Sequence, residues 1–463
     1  MPQYLIQFAQ AHDEFRLPEL HSLMKLENVH LEYDPVKYDS LSPFLVVNLA
    51  NDEEAYKLVQ RAILIKGIYE LWAVGETYEE VHEKLKASQE KWPAYSNCSF
   101  KFTVDAFGGT RSLQEQIDII NTFSFLGFEG PIDLKNPQAH FRIIEDYGLD
   151  PSRLTPPTKP YTIYMGRQIA LGKRDLIDVY NLKKRKFIGN TSMDAELSLV
   201  MANQALATKG KLVYDPFVGT GSFLVTCAHF GALTMGSDID GRQIRGKGKT
   251  SIRSNVEQYA LYDRVLDTAV FDICRNPWRQ QTFFDAIVTG SAHPPYGVRA
   301  GAKRLGRKNG TIPELGLKEI EGVPNHLRED YYPPTVPYEM SEVLQDLLEF
   351  AARFLNLGGR LVYWLPTVAE EYSITDVPQH PCMELIANSE QPFGTWSRRL
   401  ITMEKVKEYS PASLDKVNVA RDTESEQSAP SSPNLGHSNF REKYFTLGGP
   451  KKATKKEHEA PSA

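Results

Sequence analysis

The stretch Leu212-Val213-Tyr214-Asp215-Pro216-Phe217-Val218-Gly219-Thr220-Gly221-Ser222-Phe223 decides how the chain folds. An apolar strand runs into an acidic residue, then a glycine-containing turn, then an apolar helix. Without a Cβ, Gly219 and Gly221 let the backbone approach a ligand closely, and the next helix presents free N–H groups at its start. The dinucleotide fingerprint GxGxxG is excluded, because Asp215 and Pro216 occupy the turn and the glycine spacing differs. A carboxylate here repels a pyrophosphate and attracts the ammonium of a methionine moiety. Pro216, Phe217 and Thr220 shape the same turn. A plain capped strand–turn–helix is the alternative, and the full DPFVGTGS string outweighs it.

Downstream, Thr234-Met235-Gly236-Ser237-Asp238-Ile239-Asp240 places acidic residues at the end of a second strand. There Asp238 is the first choice for the two hydroxyls of a ribose and Asp240 the second, with Ile239 packing on an adenine. A third strand ends at Val270-Phe271-Asp272, where Asp272 can accept a bond from an adenine amino group. Taken singly, each of these carboxylates reads as a surface turn; their spacing behind the first motif selects the binding role. The fourth motif is Asp285-Ala286-Ile287-Val288-Thr289-Gly290-Ser291-Ala292-His293-Pro294-Pro295-Tyr296-Gly297. Pro294 and Pro295 fix φ, so Tyr296 can present a rigid face to a base that has left its helix. His293 is the acceptor for an exocyclic amine.

Strand candidates at 211–214, 232–237, 264–270, 285–288 and 360–365 alternate with helices, the clearest at 341–355. Such alternation predicts an α/β domain over 186–407, Rossmann-like with a mostly parallel sheet. A Gly-, Pro-, Lys- and Arg-rich insert occupies 299–338. Upstream, strands are expected at 4–8 and 43–49. A helix should follow behind Asn51-Asp52-Glu53-Glu54, carrying Ala55, Leu58, Ala62, Ile65 and Ile68-Tyr69. Next come a strand at 100–104, a helix at 113–125 and strands at 141–144 and 161–164. Residues 1–75 and 76–185 therefore read as two α+β units. The basic run Lys183-Lys184-Arg185-Lys186 reads as a phosphate contact, against a solvated helix end as the alternative. Residues 408–463 are polar and read as a largely disordered tail, with an aromatic segment at 437–445 as a candidate docking element.

The chain has 463 residues, 41% hydrophobic and 24% charged, which fits two or three globular domains. Its formal charge of -6 excludes nucleic-acid binding by bulk charge, so any such surface is a local patch or belongs to a partner. The four cysteines form no CxxC pair, which fits neither a disulfide framework nor a zinc site, and no metal is expected. No apolar run approaches the roughly twenty residues of a membrane helix, and no secretory signal opens the sequence. An intracellular, membrane-free protein is the expectation.

Together these strings resemble the class I methyltransferases that modify amino groups. Within them the chain resembles the THUMP-containing tRNA guanosine-10 N2-methyltransferases, in the eukaryotic form that works with a small zinc-binding activator subunit. The resemblance includes Tyr164-Met165-Gly166-Arg167, then Lys183 through Asp194 with its Asn190-Thr191-Ser192-Met193-Asp194. It continues through DPFVGTGS, Gly358-Gly359-Arg360-Leu361-Val362-Tyr363-Trp364-Leu365-Pro366, Ser397-Arg398-Arg399-Leu400 and the 437–445 segment. It implies an N-terminal ferredoxin-like plus THUMP module that grips tRNA, S-adenosyl-L-methionine as cofactor, a heterodimer with the activator and a cytoplasmic location. Two features depart from the pattern. His293 stands where the family carries Asp or Asn, and Gly290-Ser291-Ala292 lengthen the approach to it. A catalytically impaired RNA-binding subunit and a DNA or protein-glutamine amino methyltransferase remain as rival readings.

Overall fold

The expected first strand is β1 (Gln3–Phe8), which pairs antiparallel with β2 (Phe44–Asn48) on one side and β3 (Ile65–Gly75) on the other. The computed structural model describes residues 1–149, 157–190, 192–290, 303–306, 319–325, 328 and 331–410. These fall into two units, Met1–Asp178 and Val179–Ala463.

In the first unit β4 (Phe100–Phe107), β5 (Ala139–Asp146) and β6 (Thr162–Leu171) complete a six-stranded sheet in the order β2-β1-β3-β6-β5-β4. Helices α1 (Asp13–Glu27) and α2 (Asp52–Val59) cover the part with Tyr4, Ile6, Leu20, Leu58 and Ile68 at its core. Helices α3 (Tyr78–Ala87) and α4 (Leu113–Asn121) belong to the part built on Trp72, Val81, Leu85, Phe141 and Met165. Because β3 pairs with both β1 and β6, one sheet runs through the expected 75/76 boundary.

The helix expected to continue to Tyr69 ends at Val59, and this is a correction. Its start is as read, with the Asn51 side chain accepting the Glu54 N–H at 3.0 Å. From Ile65 onward the chain is β3, buried on both faces, so its apolar residues do not alternate and Ile65, Ile68 and Tyr69 mimic helical spacing. Helix α1 was not anticipated. Its buried Arg16 and Glu19 interrupt the apolar period. The Glu19 carboxylate accepts the N–H groups of Ile63 (3.1 Å) and Leu64 (2.7 Å), which closes the turn leading into β3.

The chain passes through α5 (Asp175–Val179) and α6 (Ala195–Gln204) into β7 (Leu212–Asp215). There follow α7 (Ser222–His229), β8 (Leu233–Asp238), α8 (Gly241–Arg245), α9 (Ile252–Gln258), β9 (Val265–Val270) and β10 (Phe284–Val288). Four short strands, β11 (Lys303–Leu305), β12 (Glu319–Ile320), β13 (Val323–Pro324) and β14 (Thr335–Pro337), come from the insert. The unit closes with α10 (Met340–Phe354), β15 (Leu355–Val368), β16 (Met383–Pro392) and β17 (Trp396–Lys405). The sheet order is β16-β17-β15-β10-β7-β8-β9, with β15 to β9 parallel and β17 and β16 antiparallel at one edge. Its core joins Tyr214, Phe284, Ile287, Leu347, Phe350 and Tyr363, with the Tyr214 and Phe284 rings stacked at 4.7 Å.

Strand order now fixes where ligands bind. From β7 the chain builds outward through β8 and β9, then returns to place β10 on the other flank of β7. The C-terminal end of β7 is therefore the point where strand order reverses, and open α/β sheets bind ligands in the crevice there. Among the described residues no helix is long and apolar enough to cross a membrane.

Replacing Glu19 with Ala should destabilise the first unit by about 2–3 kcal/mol, since two buried N–H groups lose their acceptor. Urea unfolding of the variant reads this directly, and an unchanged midpoint would show that water or another group takes over.

Candidate active site

Asp215 ends β7 and is 2% exposed. Burial pushes its carboxyl up to about 8, and repulsion from Asp238 adds to this, while the Phe217 amide and the Thr289 hydroxyl act against it. The Phe217 N–H donates to Oδ1 at 3.0 Å. Among the described residues no cation is paired with this carboxylate.

The turn behind it is held by its neighbours. Gly219, at φ 50°, donates its N–H to Asp238 Oδ2 at 2.9 Å, and the Asp240 N–H donates to Oδ1 at 2.8 Å. Burial raises the Asp238 carboxyl to about 6, with those amides pulling it back down. Val218 N–H donates to the Ser237 carbonyl at 2.8 Å, so the turn is pinned to the end of β8. Gly221, at φ 80°, begins α7, and a Cβ there would meet Ile252 at 3.2 Å. Asp215, Pro216, Phe217, Gly219, Thr220, Gly221, Asp238 and Ile239 thus lie together at the switch point. The Asp240 carboxylate is engaged by Arg242, at 2.9 Å to each oxygen.

A second wall was only partly visible in the sequence. Ser192 Oγ meets Thr220 Oγ1 at 2.7 Å and accepts the Gly189 N–H at 2.9 Å. Asn255 accepts the Phe187 N–H at 2.9 Å and donates to the Phe187 carbonyl at 2.8 Å. Residues 185–190, 192 and 193 therefore lie across the glycine turn. Here the reading of 183–186 as a uniform phosphate contact needs correction. Arg185 is buried and donates Nη1 to Ser222 Oγ at 2.9 Å, so its guanidinium braces the start of α7. Lys183, Lys184 and Lys186 are exposed.

Asp272 is also buried, and both its oxygens accept backbone amides, Cys274 at 3.0 Å and Leu305 at 2.7 Å. At the end of β10 the chain reaches Gly290, at φ 129°, where a Cβ would lie 2.6 Å from Trp364 Cδ1. The Arg398 guanidinium stacks on the same indole at 4.2 Å. Sequence reading noted both residues only as parts of strings. His293, Pro294, Pro295 and Tyr296 lie outside the described residues, as does the 437–445 segment.

This geometry can be set beside known proteins. Residues 2–174 match the model of the Tmrp11 THUMP N-terminal domain, and residues 183–308 match the RMKL-like methyltransferase domain. A tRNA (guanine(10)-N(2))-methyltransferase of Schizosaccharomyces pombe is 41% identical over 98% of this chain and 99% of its own length. The Homo sapiens protein of that name is 42% identical over 98% of this chain and 97% of its own. That of Mus musculus is 43% identical over the same shares. The chain belongs to the tRNA (guanine(10)-N(2))-methyltransferase family. Its THUMP match lies within the first unit, and its methyltransferase match covers the glycine turn, Asp238, Asp272 and the Pro-Pro-Tyr string of this family member.

A buried carboxyl raised to about 8 leaves a pH signature in the cofactor-free protein. Its folded value lies above the ordinary unfolded value, so its contribution to stability is complete at low pH and is lost as pH rises through the folded value. Asp215→Asn removes this loss. The variant's melting temperature should therefore gain on the wild type between pH 5 and pH 8 and hold that gain above. Parallel profiles for the two proteins would remove Asp215 as the group responsible.

Proposed function

We propose that this chain transfers a methyl group from S-adenosylmethionine to the N2 exocyclic amine of guanosine 10 in tRNA. The observation that carries the proposal is the buried Asp215, paired with no cation among the described residues, beside a glycine turn at the switch point of a methyltransferase sheet. The residues present fit the cofactor. Asp215 offers an anion for the ammonium of the methionine part, Asp238 at the end of β8 offers acceptors for the ribose hydroxyls, and Gly219 and Gly221 leave room for close approach. When bound, the cofactor supplies a methyl group on a positively charged sulfur.

The chain's own residues have separate tasks. Asp215 and the 216–221 turn orient the methionine end, Asp238 the ribose, and Ile239 and Asp272 the adenine side. His293 would accept a hydrogen bond from the guanine amine and take up the proton that the amine sheds on receiving the methyl group. Pro294, Pro295 and Tyr296 make the platform on which the flipped base stacks. Gly290, Trp364 and Arg398 brace the strand end from which that segment leaves. Lys183, Lys184 and Lys186 contact tRNA phosphates together with the N-terminal module.

We propose further that the chain works in the cytoplasm as a heterodimer with a small zinc-binding activator subunit. The resemblance supports this, and so does the terminal strand β9, which leaves Leu266 and Val270 about half exposed, at 53% and 48%. Such an edge offers unpaired backbone groups beside apolar side chains.

Purified chain, co-expressed with the activator, should convert unmodified tRNA to tRNA carrying one N2-methylguanosine, mapped to position 10 by nuclease digestion and mass spectrometry. The same tRNA with adenosine at position 10 should take up no methyl group. Methylation at another nucleotide, or equal methylation of both substrates, would overturn the assignment.

A further inference from the structure

The insert has a described part that is fastened firmly to the catalytic unit. Strands β11 and β14 pair antiparallel, Lys303 with Pro337 and Leu305 with Thr335. The Leu305 N–H donates to Asp272, Arg245 Nη2 donates to the Tyr331 carbonyl at 3.3 Å, and Arg304 meets Glu342 at 3.4 Å. The ribbon is thereby held at the carboxyl ends of β8 and β9, next to the cofactor crevice.

Two cations, Arg242 from α8 and Lys303 from the ribbon, share one aromatic ring. The Arg242 guanidinium lies 4.5 Å from the centroid of Tyr332, and the Lys303 ammonium lies 5.3 Å from it. Arg242 has its carboxylate in Asp240, and Arg304 has Glu342. Among the described residues Lys303 has no carboxylate partner, and its side chain is exposed. Each cation gains about 0.5–1 kcal/mol from the ring at an exposed site, while the two repel one another. An anion placed between them turns that repulsion into attraction. In the sequence Arg299, Arg307 and Lys308 lie on either side of β11, and no acidic residue falls between Asp285 and Glu314.

We propose that Lys303 and Arg242, assembled on Tyr332, hold a backbone phosphate of the tRNA close to the reacting nucleotide, an inference that rests on the function proposed above. On RNA the phosphodiester is the group that carries charge, and phosphate contacts set register without reading sequence. Lys303 follows the Pro-Pro-Tyr string by seven residues, so this contact fixes the substrate backbone beside the catalytic segment. The Leu305–Asp272 bond ties the same ribbon to the cofactor side of the crevice. The insert thus supplies the catalytic unit with its own hold on RNA, in addition to that of the N-terminal module.

The test measures binding of the full chain to an unmodified tRNA transcript at several salt concentrations, for wild type, Lys303→Ala, Lys303→Glu and Lys303→Arg. Lys303→Ala should weaken binding and reduce the slope of log affinity against log salt by roughly one unit, the signature of one lost phosphate contact. Lys303→Glu should weaken it further, and Lys303→Arg should keep wild-type behaviour. Calorimetric affinity for S-adenosylmethionine should be equal in all four. If Lys303→Glu matches wild type in affinity and slope while wild type methylates the tRNA, the inference is wrong. A parallel loss of cofactor affinity would also overturn it, by making the ribbon a wall of the cofactor pocket. A wild type that neither binds nor methylates tRNA would instead overturn the proposed function.

Discussion

A carboxylate kept from water, and paired with no cation among the described residues, is the constraint around which the catalytic unit is organised. Asp215 sits at the end of a central strand, beneath a turn whose glycines bring the backbone close. An ionised group in such a place is unfavourable until a cation arrives, and burial accordingly pushes its carboxyl up to about 8. The surrounding packing keeps it there. Tyr214 is stacked on Phe284 and bonded to Ser237, so β7 cannot retreat, and Val218 is bonded to the end of β8. Such local strain at one position, compensated by a well-packed sheet, is what a binding site demands of a fold.

The remaining walls follow from this placement. Arg185 and Ser192 bring the segment before α6 onto the glycine turn and the start of α7. Asp238 accepts the Gly219 amide, so the carboxylate at the end of β8 also stabilises the glycine turn behind β7. Asp272, by taking the Leu305 amide, carries the effect outward to the insert. The carboxylates at the ends of β7 and β8 therefore hold the glycine turn through backbone amides, and the one that follows β9 holds the β11–β14 ribbon.

Much of this was legible because the site is written in short strings whose spacing has physical meaning. An acid after an apolar strand, two glycines, and a second acid one strand later could be read without a sheet. Elements built by tertiary contact were not. Helix α1 buries Arg16, whose Nε and Nη2 donate to the Ala9 carbonyl at 3.0 and 2.8 Å, and Glu19 beside it, so polar residues occupy its inner face. Strand β3, covered on both faces, lost the alternation that marks a strand. The direction of Arg185 within a basic run depends on Ser222, thirty-seven positions away. The antiparallel pair β16 and β17 exists because β15 offers an edge, which no local pattern announces.

The role given to Asp215 has one consequence that no purely structural carboxyl would share. Burial favours the protonated carboxyl in the free chain, so in the proposed role it must ionise to receive the methionine ammonium. Titration calorimetry at pH 7, in buffers of different ionisation enthalpy, counts protons exchanged on binding. About one proton should leave the protein for each S-adenosylmethionine bound, and the number should fall toward zero as pH passes well above 8. Tight binding at pH 7 with no proton released would contradict the account.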